Sequence, residues 1–392
     1  MDRQMVELVK ERIEKVLPEM IEFRRLLHST PEVGIETPET ASKIRKKLEK
    51  TSIFFQKPLI GGDVVGALKG QSDRTICLRA DVDAIPTWEE SDLPYKSTVP
   101  GAMHGCGHDG HTAAMVGAAL VLDSVKDQLP VSVRFVFQPG EELYCGGGKL
   151  VEAGVCDGCE AAFAYHCWPY LPEGCVGARV GAMFGAGIQF KISLTGKGCH
   201  GAEPEKGHNP IPVASRIVSE FDELHKELQE REGSLISVCR VASGTSSNII
   251  PDTAEILGTV RFIKPEYGDV IMGEMDEIII AVTEGTGVSA KTEYDTSYSL
   301  PVLNTKSGYK LIKDIASTEL PKGCWQELPA HSRGMEDFAF YLKDREGAMF
   351  FLGLGEQSSP LHSSTFDFND NVLSNAILMH CLIALEYERH AR

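Results

Sequence analysis

Four short apolar runs in this chain each lead into residues that carry chemistry. "TICLRA" (75–80) runs into "DVDAIP", "VSVRFVF" (131–137) into "QPGEE", and "AAFAY" (161–165) into "HCWP". "AMFFLGLG" (348–355) lies shortly before "LHSS". Runs of this length, bounded by turn residues, are buried strands. Between the first two lies an Ala-rich stretch, 111–126, with helical character. Strands alternating with helices specify an α/β sheet with at least a parallel portion. In such sheets, sites form outside the carboxyl ends of the strands. Asp81, Asp83, Glu141, Glu142 and His166 all sit just past a strand, so residues far apart in sequence meet at one edge.

From about residue 182 the texture changes. "IQFKISLTGKG", "SLISVCRVAS", "DTAEILGTVRF" and "SAKTEYDTSYS" alternate apolar and polar residues, with helical stretches at 212–229 and 266–284. Alternating strands bury one face only. This predicts a strand–helix–strand–strand–helix–strand domain over 182–298, inserted into a larger domain made of 1–181 and 299–392. At 392 residues the chain exceeds what one core usually serves.

Bulk properties narrow the function. A formal net charge of −17 repels phosphate backbones, which argues against nucleic acid. The N-terminus is charged throughout, with Met5, Val6, Val9, Ile13, Val16 and Leu17 at helical spacing. It has no signal-peptide core, and no run is long enough to span a membrane. The expectation is a cytoplasmic protein with no membrane partner. Eleven cysteines, an odd number, fit reduced thiols. Cys156 and Cys159 form a lone CxxC without a second ligand pair, and read as incidental thiols.

"MHGCGHDGH" (103–111) concentrates the donors. Gly105 and Gly107 let the backbone turn so that Cys106 and His108 converge. Thiolate and imidazole suit zinc and similar metals. Asp109 is either the N-cap of the following helix or a partner that orients a ligand; His111 reads as structural or orienting. Glu141-Glu142 is either a solvated acidic turn or a pair in which one carboxylate binds metal and its neighbour acts as base. His166 and His362 add two imidazoles. Cys106, His108, Glu142, His166 and His362 are too many donors for one tetrahedral ion, and suit two ions sharing a bridge.

At this point the motifs resemble a family, the metal-dependent aminoacylase and carboxypeptidase-like amidohydrolases. The branch is that of hippurate hydrolases, N-acyl-amino-acid amidohydrolases and auxin-conjugate hydrolases. The resemblance runs in order through "RRLLHSTPEVGIET", "LRADVDAIP", "MHGCGHDGHTA", "FQPGEE", "YHCWP", "GKGCHGAEPEKGHNPI", "SNIIPDTAEILGTVRF", "GMEDFAFY" and "LHSSTFDFND". It implies a mixed, largely parallel catalytic sheet flanked by helices, of the zinc-exopeptidase type. The inserted α+β domain, with four antiparallel strands and two helices, would be a lid and dimerisation domain.

The resemblance also implies roles. Cys106, His108, Glu142, His166 and His362 would hold two divalent ions, with zinc, manganese, cobalt and nickel all compatible. Glu141 would be the general base that activates water. His200 would stabilise the oxyanion, from this chain or from a partner subunit, and Asn248 and Arg261 would hold the substrate carboxylate. Asp83 would stand behind the ligands and orient them; Asp109 would do the same where it is not the helix cap. The expected reaction is hydrolysis of N-acyl or N-aroyl amino acids to a carboxylic acid and a free amino acid. The expected assembly is a homodimer or higher homo-oligomer. A dipeptidase or carboxypeptidase using the same centre is the alternative. A cysteine amidase with Cys106 as nucleophile, and a metal-bearing binding protein, are the rivals outside that chemistry. Three departures from the branch stand out: Gly105 where alanine is common, a change expected to do little; Glu205 in place of a histidine; and Cys167 beside a proposed ligand.

Overall fold

The computed structural model describes residues 2–230 and 234–390. The chain divides into two compact units. One comprises Met1–Met183, Val302–His331 and Asp337–Arg392; the other comprises Phe184–Pro301 and Ser332–Glu336.

The first unit is built on an eight-stranded sheet. Its order is 54–55, 64–68, 132–138, 75–81, 161–168, 346–353, 176–178, 325–327. The four central strands run parallel, and antiparallel partners flank them on both sides. The expected apolar runs form the middle of this sheet. Thr75–Asp81, Ser132–Gln138, Ala161–Trp168 and Glu346–Gly353 are buried along nearly their whole length. Both faces are therefore covered, as parallel strands require. Helices Arg3–His28, His108–Ser124 and Leu373–His390 pack on one another. All apolar residues of His108–Ser124 except Leu120 are buried, which the alanines and Gly110 and Gly117 permit through close approach.

That helix begins three residues earlier than its hydropathy suggests, at His108 rather than His111. Gly107 supplies the left-handed turn before it, with φ of +83°. His108, Asp109 and His111 are therefore all placed by the first helical turn.

The second unit has a four-stranded antiparallel sheet, in the order 235–243, 253–262, 186–195, 289–298. Helices Pro210–Glu230 and Glu266–Thr283 pack against it. Ile188, Phe190, Ile192 and Leu194 alternate into a core with Ile217, Phe221 and Ile271. The element order is the one the alternating pattern predicts. Among the described residues no helix is long and apolar enough to cross a membrane.

Candidate metal centre

The carboxyl ends of the central strands carry the donors. Asp81 ends its strand, Asp83 lies two residues on, Glu141 and Glu142 open a short helix after Ser132–Gln138, and His166 lies near the end of Ala161–Trp168. His362 arrives from the loop after Glu346–Gly353. It has a left-handed backbone, φ +65°, and its N–H donates to the Gly105 carbonyl at 2.7 Å.

The donor atoms of Cys106, His108 and His166 lie within 4.8 Å of one another, and so do those of Cys106, Glu142 and His362. Cys106 belongs to both groups. His166 Nε2 is 3.4 Å from Cys106 Sγ. Glu142 Oε1 is 3.3 Å from His362 Nε2 and 3.9 Å from His108 Nε2. Both His108 Nε2 and Glu142 Oε1 are buried without a hydrogen-bond partner. Buried polar atoms are rarely left so. An orphaned imidazole nitrogen facing an orphaned carboxylate oxygen, beside a thiol, is a donor set that fits divalent cations.

The surroundings select which nitrogen faces inward. His108 Nδ1 lies 2.9 Å from the Asp83 carbonyl and His166 Nδ1 lies 2.7 Å from the Cys167 carbonyl. Each Nδ1–H therefore donates outward and leaves Nε2 for the centre. His111 differs. Its Nδ1 bonds Asp81 at 2.6 Å, and its Nε2 accepts the Cys167 N–H at 2.9 Å. Both nitrogens are taken, so His111 orients its neighbours and offers no ligand.

Asp83 holds the acidic pair. Its two oxygens accept the N–H groups of Glu141 at 3.0 Å and Glu142 at 3.1 Å. One carboxylate thus fixes the turn that carries two others, while its own carbonyl orients His108. Both glutamates are largely shielded, Glu141 at 7% exposure, so the solvated-turn alternative does not describe them. Asp109 does not cap the helix. Its carboxylate reaches back to His28 Nδ1 at 2.8 Å and Arg24 at 3.3 Å. An alanine Cβ at position 105 would meet the tip of the Ile85 side chain, Cδ1 at 2.5 Å, which a change of the Ile85 rotamer can relieve. The Cys167 sulfur lies within 4.8 Å of the donor nitrogens of His111 and His166, and its buried thiol donates to the Cys106 carbonyl at 3.3 Å.

Electrostatics follow burial. Burial pushes His166 down to about 3, so the imidazole is neutral and able to ligate. Burial also lowers His108, but Asp81, Asp83 and Glu142 outweigh it and carry it up to about 10. Burial, then the nearby Glu142 and Glu141, raise the Cys106 thiol well above its ordinary value. A cation supplies the positive charge that this cluster of acids and thiol lacks.

Several residues here carry no signal in hydropathy or motif spacing. Arg79, fully buried, donates to Asp81 at 2.6 Å and Asp337 at 2.7 Å beneath the centre, and Gln138 bonds both Arg79 and Asp337. Arg24 and His28 lie in the "RRLLH" motif, but nothing in hydropathy marks them as buried. Cys156 and Cys159 are buried near Cys77 at the other end of the Thr75–Asp81 strand from Asp81.

In the second unit, His200 is exposed and Asn248 lies beside it. The two-residue ribbon pairs His200 with Ile249, and the Gly201 N–H donates to the Asn248 carbonyl at 2.8 Å. An open cavity of about 570 Å³ includes His200 and Thr253 in its lining. Arg261 is on the strand Thr253–Phe262, opposite Gly187. Its Nη1 is buried without a hydrogen-bond partner, and a Cβ at position 187 would lie 2.4 Å from it. Eight residues of extended chain separate Arg261 from Thr253, roughly 25 Å. The structure therefore brings His200 and Asn248 together at the two-stranded ribbon and holds Arg261 apart from them on the four-stranded sheet.

Comparison with known proteins identifies the family. Residues 77–386 match the model of peptidase family M20/M25/M40. An N-acetylcysteine deacetylase of Bacillus subtilis is 34% identical over 362 residues, 91% of this chain and 93% of that protein. Thermostable carboxypeptidase 2 of Saccharolobus solfataricus is 31% identical over 98% of this chain and 99% of its own. The crystal structure of the YXEP protein of Bacillus subtilis, a dinuclear metal-binding peptidase of the M20 family, superposes with a TM-score of 0.81. It is 32% identical and covers 95% of this chain and 99% of that one. This chain belongs to peptidase family M20/M25/M40 and is a metal-dependent hydrolase acting on amide bonds.

Proposed function

We propose that the enzyme hydrolyses N-acyl or N-aroyl amino acids to a carboxylic acid and a free amino acid. Cys106, His108, Glu142, His166 and His362 would hold a pair of divalent ions; zinc, manganese, cobalt and nickel all suit this mixture of donors. When bound, such ions polarise a carbonyl and acidify water. The observation that carries the reading is the buried Glu141-Glu142 pair fixed by Asp83, with Glu142 turned toward the donors and Glu141 beside it. Glu141 takes the proton of the attacking water and returns it to the leaving nitrogen, a transfer typically worth 10²–10⁴-fold. His200 donates to the developing oxyanion. Arg261, with a buried and unpaired Nη1, grips the free carboxylate; Asn248, which stands beside His200, would reach that carboxylate only together with His200 from a partner subunit. The similarity to an N-acetylcysteine deacetylase supports an acyl-side substrate, and the similarity to a carboxypeptidase supports the alternative.

The test is a panel of N-acyl amino acids, their carboxamide counterparts and dipeptides, with and without chelation. We expect cleavage of the N-acyl amino acids, loss on chelation, recovery with a divalent ion, and poor cleavage of the carboxamides. Faster cleavage of dipeptides would transfer the assignment to the peptidase reading. Glu141→Ala should lower kcat by roughly a thousandfold while metal content stays unchanged. Wild-type turnover in that variant would remove Glu141 as the base.

A further inference from the structure

Away from the metal centre, two of the eleven cysteines face each other on neighbouring strands at the edge of the large sheet. Cys175 immediately precedes Val176–Ala178, and Cys324 immediately precedes Trp325–Glu327. These strands pair in parallel with Val176 opposite Trp325, so the cysteines occupy the adjoining position of the same register. The Val176 N–H donates to the Cys324 carbonyl at 2.8 Å. Adjacent strands lie about 4.8 Å apart, within the Cα separations of about 4.4–6.8 Å that a disulfide bridges. The two sulfurs are 2.6 Å apart, and both residues are free thiols in this structure. Cys175 is 5% exposed, whereas Cys324 is partly open to solvent.

We propose that Cys175 and Cys324 form a reversible disulfide site, oxidised by hydrogen peroxide. The strands need not move for the bond to form. The more exposed Cys324 thiolate attacks a peroxide oxygen and the O–O bond breaks. Cys324 becomes a sulfenic acid, its sulfur giving up two electrons, and the departing hydroxide leaves as water with the Cys324 proton. The Cys175 sulfur then attacks the Cys324 sulfur. The S–S bond forms, the S–O bond breaks, and the hydroxyl leaves with the Cys175 proton as a second water. Two thiols and one peroxide thus give one disulfide and two waters. Burial, together with the neighbouring Cys324 thiol, keeps Cys175 protonated, which suits the resolving role better than the attacking one.

Placement in the chain gives the bond a consequence. The loop it closes contains all of Phe184–Pro301, the larger segment of the second unit. Closing a long loop constrains the unfolded chain more than a short one does. The Cys175 carbonyl also accepts the Gly353 N–H at 2.8 Å, and Gly353 lies in register with Trp168, two residues past His166. The crosslink would therefore fasten two strands at the edge of the sheet, the nearer of them two places from the central strand Ala161–Trp168 that carries His166.

The experiment uses the full-length, metal-loaded protein. It is exposed briefly to hydrogen peroxide near pH 7, quenched, denatured, alkylated and mapped by peptide mass spectrometry. The expected result is loss of two alkylatable thiols of the eleven, a peptide linking Cys175 to Cys324, and recovery of both thiols with dithiothreitol. The oxidised protein should also melt at a higher temperature than the reduced one. Cys175→Ser should leave a sulfenic acid at Cys324 that dimedone traps, and Cys324→Ser should abolish both the linked peptide and the rise in melting temperature. Because Cys324 is the more exposed partner, its variant keeps the question open to refutation even if Cys175→Ser misfolds. Full alkylation of both cysteines while other thiols oxidise would overturn the proposal. So would a linked peptide joining other cysteines, such as Cys77 and Cys156, in their place.

Discussion

At the scale of single residues, Gly107 decides whether Cys106 and His108 can face the same point. Its φ of +83° turns the chain into the helix that begins at His108, and a Cβ there would lie 2.4 Å from the Cys167 sulfur. Gly107→Ala therefore meets two separate penalties, a left-handed backbone worth about 1–2 kcal/mol and a steric clash. We expect a lower Tm and less metal bound per chain, read by thermal unfolding and elemental analysis. Adding Cys167→Ala should relieve the clash but not the backbone strain, and so restore part of the loss. An unchanged Tm in Gly107→Ala would mean that the turn is not what aims the two donors. Residue type and spacing alone make Cys106, His108, Glu142, His166 and His362 legible as candidate donors. They do not show why His108 and not His111 offers a free nitrogen. That choice rests on Asp81 and the Cys167 N–H, which occupy both nitrogens of His111 through contacts made only in the folded sheet.

At the scale of elements, the helix Arg3–His28 shows where hydropathy stops being informative. Its apolar stripe is plain in the sequence, and Val6, Val9 and Ile13 are buried as the spacing requires. Its last turn is a different matter, because Arg24 and His28 are buried too and no apolar periodicity announces them. Arg24 bonds Asp109, Asp367 and Asp370, and His28 bonds Asp109 and Glu89. Charges are buried here because they are paired, at positions separated by 61 to 346 residues. The network anchors the first turn of the helix that presents His108. Burial lowers His28, but Asp109 and Glu89 outweigh it and raise it from 6.5 to about 9. A group raised in the folded state stabilises fully below its unfolded pKa, and that stability is lost as pH rises through the folded value. The metal-loaded protein should therefore lose up to about 3 kcal/mol between pH 6.5 and 9. His28→Gln should be less stable at pH 6 and show a flatter profile across that window. Parallel profiles of the two proteins, measured by denaturant unfolding at each pH, would show that His28 is not charged in the fold.

At the scale of the whole molecule, the geometry of the four-stranded sheet bears on how many chains build one site. His200 and Asn248 stand together past the end where Thr253 meets Thr195, while Arg261 stands opposite Gly187 near the other end, roughly 25 Å away. An N-acyl amino acid with a small acyl group is far shorter than that. If Arg261 holds the carboxylate of one substrate molecule, His200 of the same chain cannot also reach its scissile carbonyl. The two roles are compatible only if His200 comes from a second copy, so that a twofold assembly completes each site reciprocally. Subunit mixing tests this directly. Glu141→Ala and His200→Ala should each be nearly inactive alone. In a mixed dimer, the site with an intact Glu141 receives an intact His200 from the other chain, and the remaining site lacks both. Random re-pairing of equal amounts makes half the dimers mixed, each with one complete site, so activity should return to about a quarter of wild type. If Glu141 and His200 instead served a site within one chain, every site in the mixture would lack one of them and mixing would restore nothing. Recovery that appears only after dissociation and re-pairing, and is absent when intact dimers are simply combined, would tie the gain to the shared site.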